Sequence, residues 1–493
     1  MQMDLTMIGN EEEKKDSSVI GKVYGDTGTD SFKFILSGGA ERSDYVVAEH
    51  PECGPVLCQI DSIIRKSNYT LDRIQDSRFE EKVIATAFVV GYRDSNGLLT
   101  SPRTPFEVGI DVKIADAQFI AKMLGLKEDG RACAYVGLLR NHDLRVMLDI
   151  NGLIQRNTAV IGRTGGGKSY VTGVLVEELT KRGLTCMVVD THGEYGAMRD
   201  PAEGKGDMRF GVTPRPYSDS ISEFARNEGP GIRPLRFTLR SLDARDIMEI
   251  CASSDSKVSI LALSKAIENV KARKDFYDIG DLIEELRTID QVKHFALIRD
   301  LQSLDGINLF AERGNSLSEL VQEGKATVIN LKGYSPDIQQ IIVRRLGNML
   351  YEMRRNDRIP PMMMILEDAH LFCPPTDSSF SRKAIMTIAS EGRKYGLGLT
   401  IVSQRPAKID SDVLSQCGTH IILKITNPND LKAISESIEG LTPGMEQDIA
   451  SLPTGTALIV GAGIQSPLLT EIRPRESAHG EIDPQYLEDD YDE

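Results

Sequence analysis

The stretch Gly162-Arg163-Thr164-Gly165-Gly166-Gly167-Lys168-Ser169 has the spacing GxxxxGK[ST]. Glycines at those positions let backbone N–H groups converge on phosphate oxygens, the lysine reaches the β- and γ-phosphates, and the serine hydroxyl ligates Mg2+. An apolar run precedes it and a helical run begins at Tyr170, so the positive end of a helix also faces the phosphates. Arg163, Thr164, Gly165, Gly166, Gly167, Lys168, Ser169 and Tyr170 are therefore the candidate nucleotide contacts, with ATP and Mg2+ as the implied cofactors.

Phosphoryl transfer to water also needs a carboxylate at a neighbouring strand end. "MMMILEDAH" supplies two: Glu367 for the magnesium shell and Asp368 as the base that polarises water. Asp368 is equally a favoured helix N-cap before "AHLF". A second acidic group, "DTHGEYGAM", places Asp190, His192 and Glu194 after the strand "TCMVVD", at an edge where open α/β sheets bind ligands; Asp190 and Gly193 also suit local turn chemistry. In "SQRP", Ser403 and Gln404 end another strand, and Gln404 there would sense the γ-phosphate. "EGRKYG" puts Arg393 and Lys394 in the last turn of a helix that ends at Gly396. Cations are favoured there by the helix dipole, and Arg393 is also placed to act as an arginine finger on a neighbouring subunit. Arg382 and Lys383, in the polar stretch "PPTDSSFSRK", are candidates for salt-sensitive contacts to DNA phosphates or for a solvated loop.

These residues need a sheet to carry them. From "AYVGLL" onward, short apolar strands alternate with helices, as a parallel sheet covered on both faces requires: "TAVIG", "TCMVVD", "ATVINL", "MMMILE", "GLTIVSQ" and "HIILKI" are its candidate strands. Before them, residues 18–113 read as short alternating strands, an antiparallel barrel. The expected division is a flexible start at 1–17, the barrel at 18–113, the ATPase core at 114–200 and 325–462, a mostly helical insertion at 201–324, a terminal strand and brace at 463–480, and an acidic tail at 481–493.

Composition sets the outer limits. The 493 residues are 40% hydrophobic and 27% charged, an ordinary globular mix. The formal charge of −15 is concentrated at the ends: the last 13 residues contribute −7 and the first 17 contribute −3, leaving −5 over residues 18–480. A local basic channel for DNA is compatible with that balance. The seven cysteines, at 53, 58, 133, 186, 251, 373 and 417, form no CxxC pair and read as free thiols of a reducing compartment. No apolar run reaches the 18 residues of a membrane span and no signal peptide is evident, so a cytoplasmic location is expected.

Taken together, "GRTGGGKS", "DTHGEY", "EDAHLF", "EGRKYGLGLTIVSQRP" and "LPTGTALIVG" resemble, in order and context, the HerA family of hexameric DNA translocases, in the HerA/FtsK branch of RecA-like ATPases. The resemblance spans most of the chain. It implies an α/β fold, a RecA-like P-loop core with an N-terminal antiparallel β-barrel (HAS-barrel-like) and a helical insertion. It also implies a homohexamer on double-stranded DNA, with a NurA-like nuclease or another effector docked on the barrel, in DNA end resection or phage defence. Lys168 and Ser169 would hold nucleotide and Mg2+, Glu367 and Asp368 would be the acidic pair, Gln404 the sensor, Arg393 the residue acting in trans, and Arg156 a basic residue near nucleotide. Asp368 stands where the family usually has Glu, and Asn157 stands where His often follows. A conjugation-type DNA pump and a nucleotide-switched scaffold are the competing expectations.

Overall fold

The computed structural model describes residues 19–480 apart from 68–80, 243, 251–256, 291–293, 377–378, 439–440 and 442. The expectations for residues 1–17, Cys251 and the acidic tail lie outside the described residues. The chain divides into two compact units, 1–126 and 127–493.

The first unit carries β1 (Val19–Thr27), β2 (Ser31–Leu36), β3 (Tyr45–His50), β4 (Gly54–Ser67), β5 (Glu81–Arg93), β6 (Leu99–Thr100) and β7 (Asp111–Ile114). They run β2-β1-β7-β3-β4-β5, and β5 pairs back onto β2, closing a six-stranded antiparallel barrel with β6 added beside β5. Strict alternation directs Phe32 and Phe34 of β2 and Val46 and Ala48 of β3 inward. Closure leaves no long free strand edge. The helix Ala117–Leu124 belongs to this unit, so the second unit begins at Lys127 and not at 114.

The second unit is built on one sheet. Its strands are β8 (Cys133–Leu139), β9 (Arg145–Asp149), β10 (Thr158–Ile161), β11 (Thr185–Asp190), β12 (Ile221–Ala225) and β13 (Ile232–Pro234). After a small separate pair, β14 (Phe237–Thr238) and β15 (Phe310–Ala311), come β16 (Ala326–Asn330), β17 (Met362–Leu366), β18 (Leu397–Ser403), β19 (Thr419–Ile422), β20 (Thr456–Gly461) and β21 (Ile464–Ile472). The order is β13-β12-β16-β11-β17-β18-β10-β19-β20-β21-β8-β9, parallel from β13 to β19 and antiparallel thereafter. Register is continuous through the centre: Val160 of β10 lies opposite Val402 of β18 and Ile421 of β19. The central strands are buried on both faces, which is why they read as unbroken apolar runs.

Residues 201–324 open on strands that were not expected: β12 and β13 extend the main sheet. Helices follow from Ala244, close to the start near Ser241 that the amphipathic spacing suggests, with Ala244–Ile250, Lys257–Arg273, Ile279–Asp290 and Phe295–Asp305. The Gly- and Pro-rich residues before β12 and β13 carry no apolar pattern that would announce two short parallel strands.

The helix Lys168–Lys181 that follows the phosphate loop is buried all round from Val171 to Thr180. One side lies on the sheet and the other is crossed by the chain after β21, where Arg473 meets Glu177 and Glu178 at 2.9 Å each. All three side chains are out of solvent. Glu177 also accepts from the backbone of Glu476 and Ser477, and Lys181 reaches Glu476 at 2.7 Å. Gly173 gives room for this crossing, since a Cβ there would meet the Arg475 guanidinium at 2.6 Å.

Candidate nucleotide site

Because β10, β11, β17 and β18 are parallel neighbours, the loops at their carboxyl ends share one edge. This topology brings the phosphate loop, the 190–195 turn, Glu367, Asp368 and Gln404 together. Gly165 and Gly167 take positive φ, 66° and 89°, and Gly167 is the N-cap of the following helix with no side-chain cap. That helix end therefore presents free N–H groups to an anion. The Lys168 ammonium donates to the Arg163 carbonyl at 3.1 Å, folded onto its own loop. Thr164 donates its hydroxyl to the Gln404 side-chain oxygen, so the sensor strand is tied directly to the loop. A cleft of about 350 Å³ opens in front, lined by Arg163, Thr164, Gln404, Arg405, Lys408 and Asn427 among others.

The acidic pair ends β17. Glu367 is buried, and the Tyr195 hydroxyl donates to it. Burial, reinforced by the neighbouring Asp368, Asp190 and Glu194 charges, pushes its carboxyl up to about 8 against the lowering effect of Tyr195. A cation delivered there would relieve that strain. One hydroxyl, Ser169, and one carboxylate, Glu367, suit Mg2+, which keeps most of its shell for phosphate oxygens and water. Asp368 takes a left-handed backbone conformation, φ 46°, and its Oδ2 accepts from His192 Nε2 at 2.8 Å and Thr191 Oγ1 at 3.1 Å. Despite its burial, these donors and the nearby histidines hold Asp368 below the ordinary aspartate range. Its side chain makes no cap to the turn that follows, so the capping alternative is set aside.

Asp190 takes the other course. Its two oxygens accept from the backbone of His192, Gly193 and Tyr195 at 3.2, 2.8 and 3.0 Å. The carboxylate shapes the turn and stays at the same strand edge as the phosphate loop. Glu194, in the same turn, is half-buried. Tyr195, Thr191 and His370, which lies 3.3 Å from Ser403 Oγ, belong to the site and were not singled out by spacing. The signal available for them was their place in "DTHGEY" and "EDAH".

Arg393 and Arg156 lie elsewhere. Arg393 is exposed in the turn Gly392–Tyr395 that precedes β18, and Arg156 is exposed at the end of the helix Ile150–Arg156 that precedes β10. Both sit at the amino edge of the sheet. The seven residues of β18 separate Arg393 from the phosphate-loop edge by about 20 Å at ~3.3 Å per residue. Arg156 therefore lies at the opposite edge of the sheet from the phosphate loop of its own chain. Asn157, buried with φ 46°, donates to the Ala389 carbonyl and accepts from Leu399 N, pinning the start of β10 to its neighbours. Arg382 opens the helix Arg382–Glu391 and pairs with the buried Asp410 at 2.6 Å. Lys383 beside it is exposed.

Residues 134–350 match the family model described as the central domain of helicase HerA. The chain is 28% identical to the probable DNA double-strand break repair helicase HerA of Methanocaldococcus jannaschii, over 93% of this chain and 96% of that protein. It is 26% identical to the DNA double-strand break repair helicase HerA of Pyrococcus furiosus, over 92% of each chain. Among solved structures, VirB4 of Thermoanaerobacter pseudethanolicus shares the fold with a TM-score of 0.51 at 15% identity, covering 71% of this chain and 98% of that one.

Proposed function

Because this chain belongs to the HerA family of helicases, we propose that it is an ATP-hydrolysing DNA helicase of double-strand break repair, working as a homohexameric ring that translocates on duplex DNA. The observation that carries the ring is the separation of the arginines from the phosphate loop. Lys168, Ser169, Glu367, Asp368 and Gln404 share the carboxyl edge, while Arg393 and Arg156 project from the amino edge. A head-to-tail ring brings those two edges together at each interface.

Within such a site, Mg2+-ATP supplies the electrophilic γ-phosphoryl group. The N–H groups of residues 165–169 and the Lys168 ammonium bind its phosphates, and Ser169 and Glu367 hold the metal. Asp368, kept ionised, aligns water for attack. Gln404 reports the state of the γ-phosphate to the loop through Thr164. Arg393 of a neighbouring subunit neutralises charge as it builds, a contribution of ~10³ to 10⁵ in rate where such fingers act. Strand degradation falls to a separate NurA-like nuclease or another effector seated on the barrel. Among the described residues no helix is long and apolar enough to cross a membrane.

The test is ATP turnover with and without duplex DNA, with ring mass measured under ATP. The reading expects DNA-stimulated turnover that Lys168→Ala abolishes. Turnover indifferent to duplex DNA, with Lys168→Ala still blocking nucleotide binding, would remove the translocase and leave a nucleotide-switched scaffold.

A further inference from the structure

Hydrolysis requires one oxygen of Asp368 to face water while the carboxylate as a whole stays still, and an aspartate has one methylene fewer than glutamate with which to reach. The structure meets this from the neighbouring strand. After β11, Asp190 folds residues 192–195 into a turn through three backbone hydrogen bonds. That turn directs His192 Nε2 and Thr191 Oγ1 onto the same oxygen, Oδ2 of Asp368. The other oxygen, Oδ1, accepts no hydrogen bond from a described residue and has His370 Nδ1 at 3.9 Å. His192 is otherwise a surface side chain, 66% exposed, so its place against a carboxylate that is only 11% exposed is set by the turn and the bond, not by packing.

We propose that His192 is a positioning residue for ATP hydrolysis: with Thr191 it clamps Oδ2 of Asp368 and leaves Oδ1 free to align the attacking water. The inference rests on the proposed role of Asp368 in the site above. It assigns the His of "DTHGEY" to the reaction through Asp368 and not to the nucleotide. A clamp of this kind acts on orientation, where a displacement of about 1 Å costs ~10²-fold in rate. It leaves the phosphate loop and its binding groups untouched.

The test compares His192→Ala and His192→Gln, alone and with Thr191→Val, in the full-length protein. kcat and KM for ATP are measured beside the dissociation constant of a fluorescent non-hydrolysable ATP analogue. His192→Ala is expected to lower kcat ~10- to 100-fold while KM and analogue affinity stay within about twofold. His192→Gln, whose amide N–H can donate to Oδ2, is expected to restore most of the loss, and adding Thr191→Val to it to remove that rescue. An unchanged kcat in His192→Ala, a parallel loss of analogue binding, or equal defects in the Ala and Gln variants would each overturn the assignment. A wild-type protein without DNA-stimulated turnover would instead count against the translocase, since the clamp is read from basal hydrolysis.

Discussion

Replacing Arg473 with Met should unfasten the phosphate-loop helix from the chain segment after β21 that crosses it. The guanidinium is fully buried. It meets Glu177 and Glu178 at 2.9 Å each and donates to the carbonyls of Tyr135 at 3.0 Å and Pro474 at 2.8 Å. Its loss removes the main counter-charge from two carboxylates that are themselves out of solvent, leaving Glu178 with Lys181 and Glu177 with the Arg475 guanidinium at 3.8 Å. Removing one partner of a buried ion cluster costs about 3–5 kcal/mol, because the remaining charge is uncompensated. Glu177 keeps three donors from Glu476 and Ser477, and Glu178 keeps Tyr135 N. The loss should therefore fall toward the lower end, about 3 kcal/mol, a large share of a typical folding stability of ~5–15 kcal/mol. Urea unfolding followed by circular dichroism reads it directly. The double variant Arg473→Met, Glu178→Gln should regain part of the loss, since Glu177 keeps Arg475 and Lys181 keeps Glu476. A single-variant loss below about 1 kcal/mol, the scale of an exposed pair, would refute the reasoning.

Two further outcomes follow from buried charge. His420, on β19, is buried, and desolvation pushes its imidazole down from 6.5 to about 4. Between those values the unfolded chain binds a proton that the folded chain refuses, so this histidine makes stability fall as pH drops from 6.5 toward 4, by ~1.4 kcal/mol per pH unit. In urea titrations, wild type should lose about 2 kcal/mol more than His420→Leu between pH 7.5 and 5.0; equal losses would contradict the assignment. Arg382 and Lys383, adjacent in sequence, should part company. Arg382→Ala exposes the need of Asp410 for a partner and lowers stability by about 2–4 kcal/mol. Lys383→Glu should leave stability within about 0.5 kcal/mol and act, if Lys383 faces DNA, on salt-sensitive duplex binding in a filter or anisotropy assay. A duplex affinity and salt slope unchanged by Lys383→Glu would remove it from the DNA path.

The six core strands around the phosphate loop were legible because each is buried on both faces, and such strands write themselves as short apolar runs ended by turn residues. Phosphate-loop chemistry was legible for the same local reason: its glycines, lysine and serine act within eight residues. What escaped depends on contacts between distant segments. Asp190 and Asp368 look alike at strand ends, and only the fold shows that one spends its oxygens on backbone N–H groups while the other meets His192 and Thr191. Arg382 looks free until Asp410 arrives beside it. Glu177 and Glu178 break the apolar pattern of their helix, and the partner that explains them lies 295 or more positions away. β12 and β13 were hidden because strands of three to five residues between Gly and Pro carry too little pattern to separate them from loop.

The central claim, that each nucleotide site is shared between subunits, is tested most directly by mixing two inactive proteins. Lys168→Ala lacks the phosphate-loop lysine but offers an intact Arg393; Arg393→Ala offers the reverse. In randomly mixed rings at equal ratio, ~25% of interfaces pair an intact loop with an intact arginine, given a head-to-tail arrangement. The account predicts that each variant alone is inactive and that the mixture, after subunit exchange, recovers DNA-stimulated ATP turnover. A mixture as inactive as its components, or an Arg393→Ala protein that turns over ATP at the wild-type rate, would contradict it.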